Sequence, residues 1–186
     1  MFLRSFDLIF AGFGLLVLLP AYLLIIIACF LFRLPSPMFS QIRVGRYGKE
    51  FTLYKVRTMH RDTKNMPTHL IVDPVVSRIG KVLRITKLDE LPQLWNVFIG
   101  DMSLVGPRPC LPSQNELIYE RRKRGVFDVR PGVTGLAQLS GIDMSAPKRL
   151  AQADVQMIQT LGLFNYFKYL ALTVLGRGLG DRSLLQ

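Results

Sequence analysis

The hydrophobic pattern divides the chain unevenly. From Leu8 to Phe32 (LIFAGFGLLVLLPAYLLIIIACFLF) no side chain ionises except the phenol of Tyr22 and the thiol of Cys29, both neutral at pH 7. A run of about 25 residues measures about 37 Å as a continuous helix, enough to reach across a bilayer. A cleaved signal peptide has an apolar core of only about 7–15 residues that ends at a small-residue site, whereas this stretch runs into Arg33-Leu34-Pro35. Pro20 lies near its middle, where the missing donor and the ring bend or break a helix. Arg4 precedes the stretch, and Arg33, Arg43, Arg46 and Lys49 follow it. Positive flanks are drawn to the cytoplasm. Two topologies fit: a hairpin that re-enters the same leaflet, and a kinked single-pass helix with a weak Arg4 signal.

Beyond the LPSP exit (34–37) the period changes. FSQIRVG (39–45) and EFTLYKVRTM (50–59) flank Arg46-Tyr47-Gly48-Lys49 and predict two short strands in a hairpin. Residues 60–75 are polar and broken by prolines, which predicts a surface loop. Helices are predicted over 79–85, from near Pro92 to just before Gly100, over 114–124, 147–161 and 163–177. GDMSLVGPRP (100–109) predicts no regular element, and VRPGVTGLAQLSG (129–141) predicts a glycine-rich loop. The last helix, LFNYFKYLALTVL, is apolar on most faces, so it is either core or an interfacial helix, with Tyr166, Phe167 and Tyr169 suited to the headgroup level. The expected fold is α+β and mainly helical, with one small β element. A membrane segment, 1–33, leads into a compact domain, 34–186.

Charge narrows the partners. The 186 residues carry a net +11, and Arg4 and Asp7 are the only charged side chains before Arg33, so the downstream domain holds all of it. A basic domain tied to a membrane suits anionic lipid, a phosphorylated substrate or nucleic acid. Cys29 sits in the apolar stretch and Cys110 far downstream, which fits reduced thiols in a cytoplasmic domain rather than a disulfide. Zinc-ligand spacing, a P-loop, GxGxxG and GxSxG are absent. His60 and His69 stand in the polar loop as surface histidines, which leaves no histidine-based triad. No nucleic-acid module is present, and no nucleic-acid partner is expected.

The remaining chemistry lies in acids and arginines. Asp89 and Glu90 come just before Pro92, which fits the first turn of a helix, and Thr86-x-x-Asp89 resembles a capping box. The same position keeps a carboxylate ionised, suiting a nucleophile or a Mg²⁺ ligand, and can bind phosphate. Arg108 is bracketed as Gly106-Pro107-Arg108-Pro109, Arg130 opens Arg130-Pro131-Gly132, and Arg84 is five residues before Asp89. Guanidinium forks match phosphate oxygens, so together these point to a diphosphate site. Asp154 shares a helix face with Leu150, Met157, Ile158 and Leu161. A carboxylate on an apolar stripe needs an arginine or a metal as partner, and both remain open.

FxQxRxG (Phe39 to Gly45), KVRTM (55–59), LDELPQLWNVFIGDMSLVGPRP (88–109) and VRPGVTGLAQLSG (129–141) resemble the bacterial sugar transferase family, the monotopic phosphoglycosyl transferases of glycoconjugate assembly. The likeness runs from the membrane segment to the last helix and is to the short form of the family. It implies transfer of a phosphosugar from a UDP-sugar to a polyprenyl phosphate such as undecaprenyl phosphate, with release of UMP, at the cytoplasmic face of the bacterial inner membrane. It implies Asp89 as nucleophile, Glu90 as its partner, and Mg²⁺ bridging Asp89 and the diphosphate. Lys55, Arg57, Arg84, Arg108, Arg130 and Asp154 are the implied substrate-binding residues. The family's re-entrant helix breaks at a proline, matching Pro20, although the preceding serine is Leu19 here. Met157 replaces the tyrosine of the family's Asp-x-x-Tyr at Asp154. Neither the sugar nor the oligomeric state is legible. The rival from the residues alone is a membrane-anchored basic binding protein without turnover.

Overall fold

A computed structural model describes residues 2–31, 37–58 and 78–176. The predicted loop 60–75, with His60 and His69, lies outside them.

The first helix, α1 (Phe2–Leu31), spans 30 residues with Pro20 inside it. Among the described residues it is the one helix long and apolar enough to cross a membrane, with a mean hydropathy of 1.9 over Phe2–Pro20. Leu16, Val17, Leu19, Leu23, Leu24 and Ile27 are exposed along it. Its first turns behave differently. Ala11 is fully buried, and Leu3 and Phe6 pack on a core of Leu53, Val97, Met102, Tyr166 and Tyr169. Asp7, 3 % exposed, accepts hydrogen bonds from Ser103 Oγ, the Leu104 amide (2.9 Å) and Tyr166 Oη (2.8 Å). The first turns of this apolar helix are therefore fixed to the rest of the chain by a buried carboxylate as well as by apolar contact.

The predicted hairpin forms as β1 (Met38–Val44) and β2 (Glu50–Val56), antiparallel, with Phe39 opposite Lys55, Gln41 opposite Leu53 and Arg43 opposite Phe51. Opposed residues share a face, so Leu53 in the core directs Lys55 and Arg43 to the same side. Helix α2 covers Arg78–Ile85 and α3 covers Gln93–Ile99. On α3, the fully buried Asn96 substitutes for a strand neighbour: its Nδ2 donates to Thr52 O (2.7 Å) and its Oδ1 accepts from the Tyr54 amide (3.2 Å). That pairing satisfies the free edge of β2 and sets the acid pair, just before α3, against Lys55.

Two expectations are corrected here. GDMSLVGPRP contains a strand, β3 (Ser103–Val105), and VRPGVTGLAQLSG contains β4 (Gly132–Thr134) and a short helix, α5 (Leu136–Leu139). β3 and β4 pair in parallel, Ser103 with Gly132 and Val105 with Thr134, so there are two small sheets rather than one β element. Local patterning misses such strands because each is defined by a partner far along the chain. The crossing is tight: a Cβ on Gly132 would lie 2.0 Å from the Gly106 nitrogen. The remaining helices, α4 (Asn115–Lys123), α6 (Pro147–Thr160) and α7 (Leu163–Val174), fall close to their expected bounds. On α7, Tyr166 and Tyr169 are buried in the core rather than presented at the surface, while Leu163, Phe164, Val174 and Leu175 are exposed.

Candidate active site

The chain leaves α2 through a sharp turn. The Thr86 hydroxyl donates back to Val82 O (2.8 Å), and Lys87 adopts φ 57°. Thr86 thus closes the end of α2, and the expected capping box with Asp89 does not form. The left-handed Lys87 swings the backbone into a single 3₁₀ turn, Leu88–Glu90, and Pro92 then opens α3. The acid pair sits one turn ahead of α3 rather than in its first turn.

The two acids have different surroundings. Lys55 Nζ donates to Glu90 Oε1 at 2.9 Å, and Arg108 Nη2 lies 3.4 Å from the same oxygen. Burial would raise the Glu90 pKa, but Lys55 and Arg108 outweigh it and hold the group at about 2. Asp89 is 8 % exposed and takes no hydrogen bond or ion pair among the described residues. Burial pushes its pKa up, opposed by Lys55 and reinforced by Glu90, with Arg84 and Arg108 also opposing. The expectation that a helix start keeps Asp89 ionised gives way to a less comfortable carboxylate in a cationic setting. One member of the pair is fastened, and the other takes no such partner among the described residues.

Arg84 Nε donates to Thr58 Oγ1 at 2.9 Å, whereas its buried Nη1 has no acceptor among the described residues. Arg57 lies further along the hairpin, Nη2 donating to Met38 O at 3.4 Å and the guanidinium 5.6 Å from the Phe39 ring centroid. Arg43, Lys55, Glu90, Gln93, Arg108, Gly132 and Val133 line one small pocket. Lys55, Arg84 and Arg108 are thus gathered at Asp89 and Glu90.

Two predicted residues are elsewhere. Arg130 Nε donates to Gly100 O at 2.8 Å, while Arg4 reaches Phe98 O and Met102 O, both at 3.2 Å. These two guanidiniums close the C-terminal end of α3, opposite the acid pair, where cations suit exposed carbonyls. Asp154, 1 % exposed, accepts from Arg121 Nε at 2.9 Å, with Nη2 at 2.8 Å. The partner that Asp154 meets is thus an arginine.

No cluster of three or more His, Cys, Asp or Glu side chains occurs among the described residues, so a metal caged by protein alone does not fit them. Mg²⁺ is ordinarily held by one or two carboxylates together with substrate phosphates and water, and the unpaired Asp89 fits that arrangement.

A buried carboxylate, a pinned neighbour and converging cations make a site with the charge to hold phosphate groups. The model of the family described as bacterial sugar transferase matches residues 1–177. The chain belongs to the bacterial sugar transferase family. This transferase is 40 % identical over 173 residues to a Bacillus subtilis protein named uncharacterized sugar transferase EpsL, covering 92 % of this chain and 84 % of that one. It is 37 % identical to the UDP-glucose:undecaprenyl-phosphate glucose-1-phosphate transferase of Caulobacter vibrioides, covering 81 % of this chain and 61 % of that one. It is 35 % identical to the UDP-galactose-lipid carrier transferase of Erwinia amylovora, covering 92 % of this chain and 39 % of that one.

Sequence reasoning passed over three residues of this transferase. Arg43 counted only as a basic flank, yet its Nη1 donates to Pro109 O at 3.0 Å; strand alternation with Gln41 was the available signal. Arg121 was one of a run of charges, and nothing local distinguishes it from Arg122. Asp7, the lone acid before the apolar stretch, was the most visible signal, since an acid there needs a partner.

Proposed function

We propose that this transferase moves a phosphosugar from a UDP-sugar to a polyprenyl phosphate, undecaprenyl phosphate in bacteria, through a covalent intermediate on Asp89. The observation that carries this reading is the asymmetry of the acid pair: Asp89 is buried with no hydrogen bond or ion pair among the described residues, and Glu90 is held by Lys55 and Arg108. An Asp89 oxygen attacks the β-phosphorus, the bond to the UMP oxygen breaks, and UMP leaves with the electron pair. An oxygen of the polyprenyl phosphate then attacks the same phosphorus, the Asp89–phosphorus bond breaks, and the carboxylate is restored. Covalent catalysis of this type divides one difficult transfer into two steps. Glu90, ionised and fixed, orients Lys55 and Arg108 toward the phosphates and assists the incoming lipid phosphate. Arg84 offers its unpartnered Nη1 to a phosphate oxygen. Mg²⁺, held by Asp89 and the diphosphate, would supply charge neutralisation.

The same reading makes residues 1–33 a re-entrant membrane segment broken at Pro20, with 34–186 on the cytoplasmic face and the exposed apolar side of α7 in the interface. Basic residues on both flanks support the hairpin, and exposed Leu163, Phe164, Val174 and Leu175 support the interfacial helix. The test is UMP release from a panel of UDP-sugars with undecaprenyl phosphate and Mg²⁺. Release with at least one donor is expected. No release across a broad panel contradicts the enzyme reading and favours a basic membrane-bound binding protein.

The pH dependence follows from the acid pair. Glu90, with its pKa near 2, stays ionised at working pH. The acid limb of kcat/KM for the UDP-sugar, which reports the first half-reaction alone, is therefore assigned to Asp89, above its ordinary 3.8, because protonated Asp89 is not a nucleophile. Lys55 is the largest opposing influence on that carboxyl, so Lys55→Met moves the limb to higher pH. A pH–rate profile with an unmoved or lowered limb contradicts this.

A further inference from the structure

The segment 107–110 carries Arg108 yet has no regular structure, and each of its four carbonyls is nonetheless engaged. Pro107 O accepts from the Gly132 amide (2.9 Å) and Arg108 O from Arg121 Nη1 (2.7 Å). Pro109 O accepts from Arg43 Nη1 (3.0 Å) and Cys110 O from the Val44 amide (2.9 Å). Three of these partners belong to sheet elements or a hairpin side chain. The fourth is a guanidinium on α4 that is 1 % exposed, and such a buried charge requires a counter-charge. Asp154 on α6 supplies it, at 2.9 Å to Nε and 2.8 Å to Nη2. Nε of the Arg121 fork thus donates to Asp154, Nη2 lies in ion-pair contact with the same oxygen without a hydrogen bond, and Nη1 is aimed at the backbone of Arg108.

We infer that Asp154 and Arg121 form a positioning device: Asp154 orients the Arg121 fork, which fixes the Arg108 carbonyl and so aims the Arg108 side chain at Glu90. Asp154 thereby acts on the reaction from behind the site, without touching substrate. The wall it stabilises is rigid by construction, since Pro107 and Pro109 fix φ on either side of Arg108. A small rotation of this segment displaces the guanidinium from Glu90 and from the phosphate that it faces.

This inference rests on the proposed phosphosugar transfer, and the test separates the two. A buried ion pair replaced by apolar residues of similar size is often neutral for stability, so Asp154→Leu with Arg121→Met keeps the fold while removing the hydrogen bond to Arg108 O. UMP release with this double variant is expected to lose about 10- to 100-fold in kcat, the scale of a misplacement near 1 Å, with KM changed far less. Built on Arg108→Ala, the same pair of changes is expected to cost less than about 2-fold, because their effect runs through the Arg108 side chain. Arg121→Lys, which keeps the charge but loses the fork, should reproduce the kcat loss if the double variant folds poorly. An equal loss in both backgrounds, or wild-type kcat in the double variant, overturns the inference. A second readout needs no turnover: the coupling between Arg108→Ala and Glu90→Gln in thermal unfolding should be present in the wild type and largely lost with Asp154→Leu/Arg121→Met. Undiminished coupling there overturns the inference even if no UDP-sugar proves to be a donor.

Discussion

Asp89→Asn is expected to lower UMP release by about four orders of magnitude or more while leaving the protein folded. The scale is that seen when the group forming the covalent bond is removed from an enzyme of this type. The amide keeps the shape of the carboxylate but lacks its nucleophilicity. No hydrogen bond is lost with it, since Asp89 takes none among the described residues. The direction of its pKa gives the sign for stability. Burial raises the folded-state pKa above 3.8, so the ionised form is disfavoured in the folded protein; whatever this group contributes to stability is present at low pH and lost as pH rises through the folded pKa. At neutral pH the amide removes a destabilising charge, and the variant should melt no lower than the wild type. Inactivity with an equal or raised Tm is the pattern of a residue kept for chemistry. Residual activity within about 100-fold of wild type would instead assign Asp89 an electrostatic role.

Asp7→Ala is expected to have the largest effect on stability, about 3–5 kcal/mol, the scale for removing one partner from a buried polar cluster. The alanine leaves the Leu104 amide and Tyr166 Oη, both buried, without their acceptor, and removes the partner of Ser103 Oγ. It also takes away the carboxylate 3.7 Å from Arg4, whose guanidinium closes the end of α3. Asp7→Asn keeps one acceptor oxygen and should be clearly milder. Thermal unfolding in one detergent checks both variants. A Tm for Asp7→Ala equal to that of the wild type would mean that α1 is held by apolar packing alone.

The legible parts of the fold were those that the local pattern determines. Alternation gave β1 and β2 because Leu53 and Lys55 must share a face, and the 3.6-residue period gave α4, α6 and α7. β3 and β4 were invisible because three residues between glycines and prolines become strands only on meeting each other. At the site, Asp89, Glu90, Arg84 and Arg108 were legible from the residues as a candidate diphosphate site, and Lys55 entered only through the resemblance. The roles within the pair were not, because they depend on which acid Lys55 reaches from a separate hairpin. Arg130 stands apart from that group. A proline-flanked arginine looks aimed at phosphate, yet its Nε meets Gly100 O. Asp154 was correctly marked as an acid needing a partner, but the choice of Arg121 required α4 and α6 to be packed together.

The central claim is that a phosphosugar rests on Asp89 between two half-reactions. The most direct measurement is intact-protein mass after mixing the transferase with its UDP-sugar and Mg²⁺ without polyprenyl phosphate, followed by acid quench and peptide mapping. The account predicts a gain of one phosphosugar on the peptide containing Asp89, one equivalent of UMP released with it, loss of the adduct when polyprenyl phosphate is added, and no adduct in Asp89→Asn. UMP release that requires polyprenyl phosphate from the outset, with the protein mass unchanged at every time point, would contradict it.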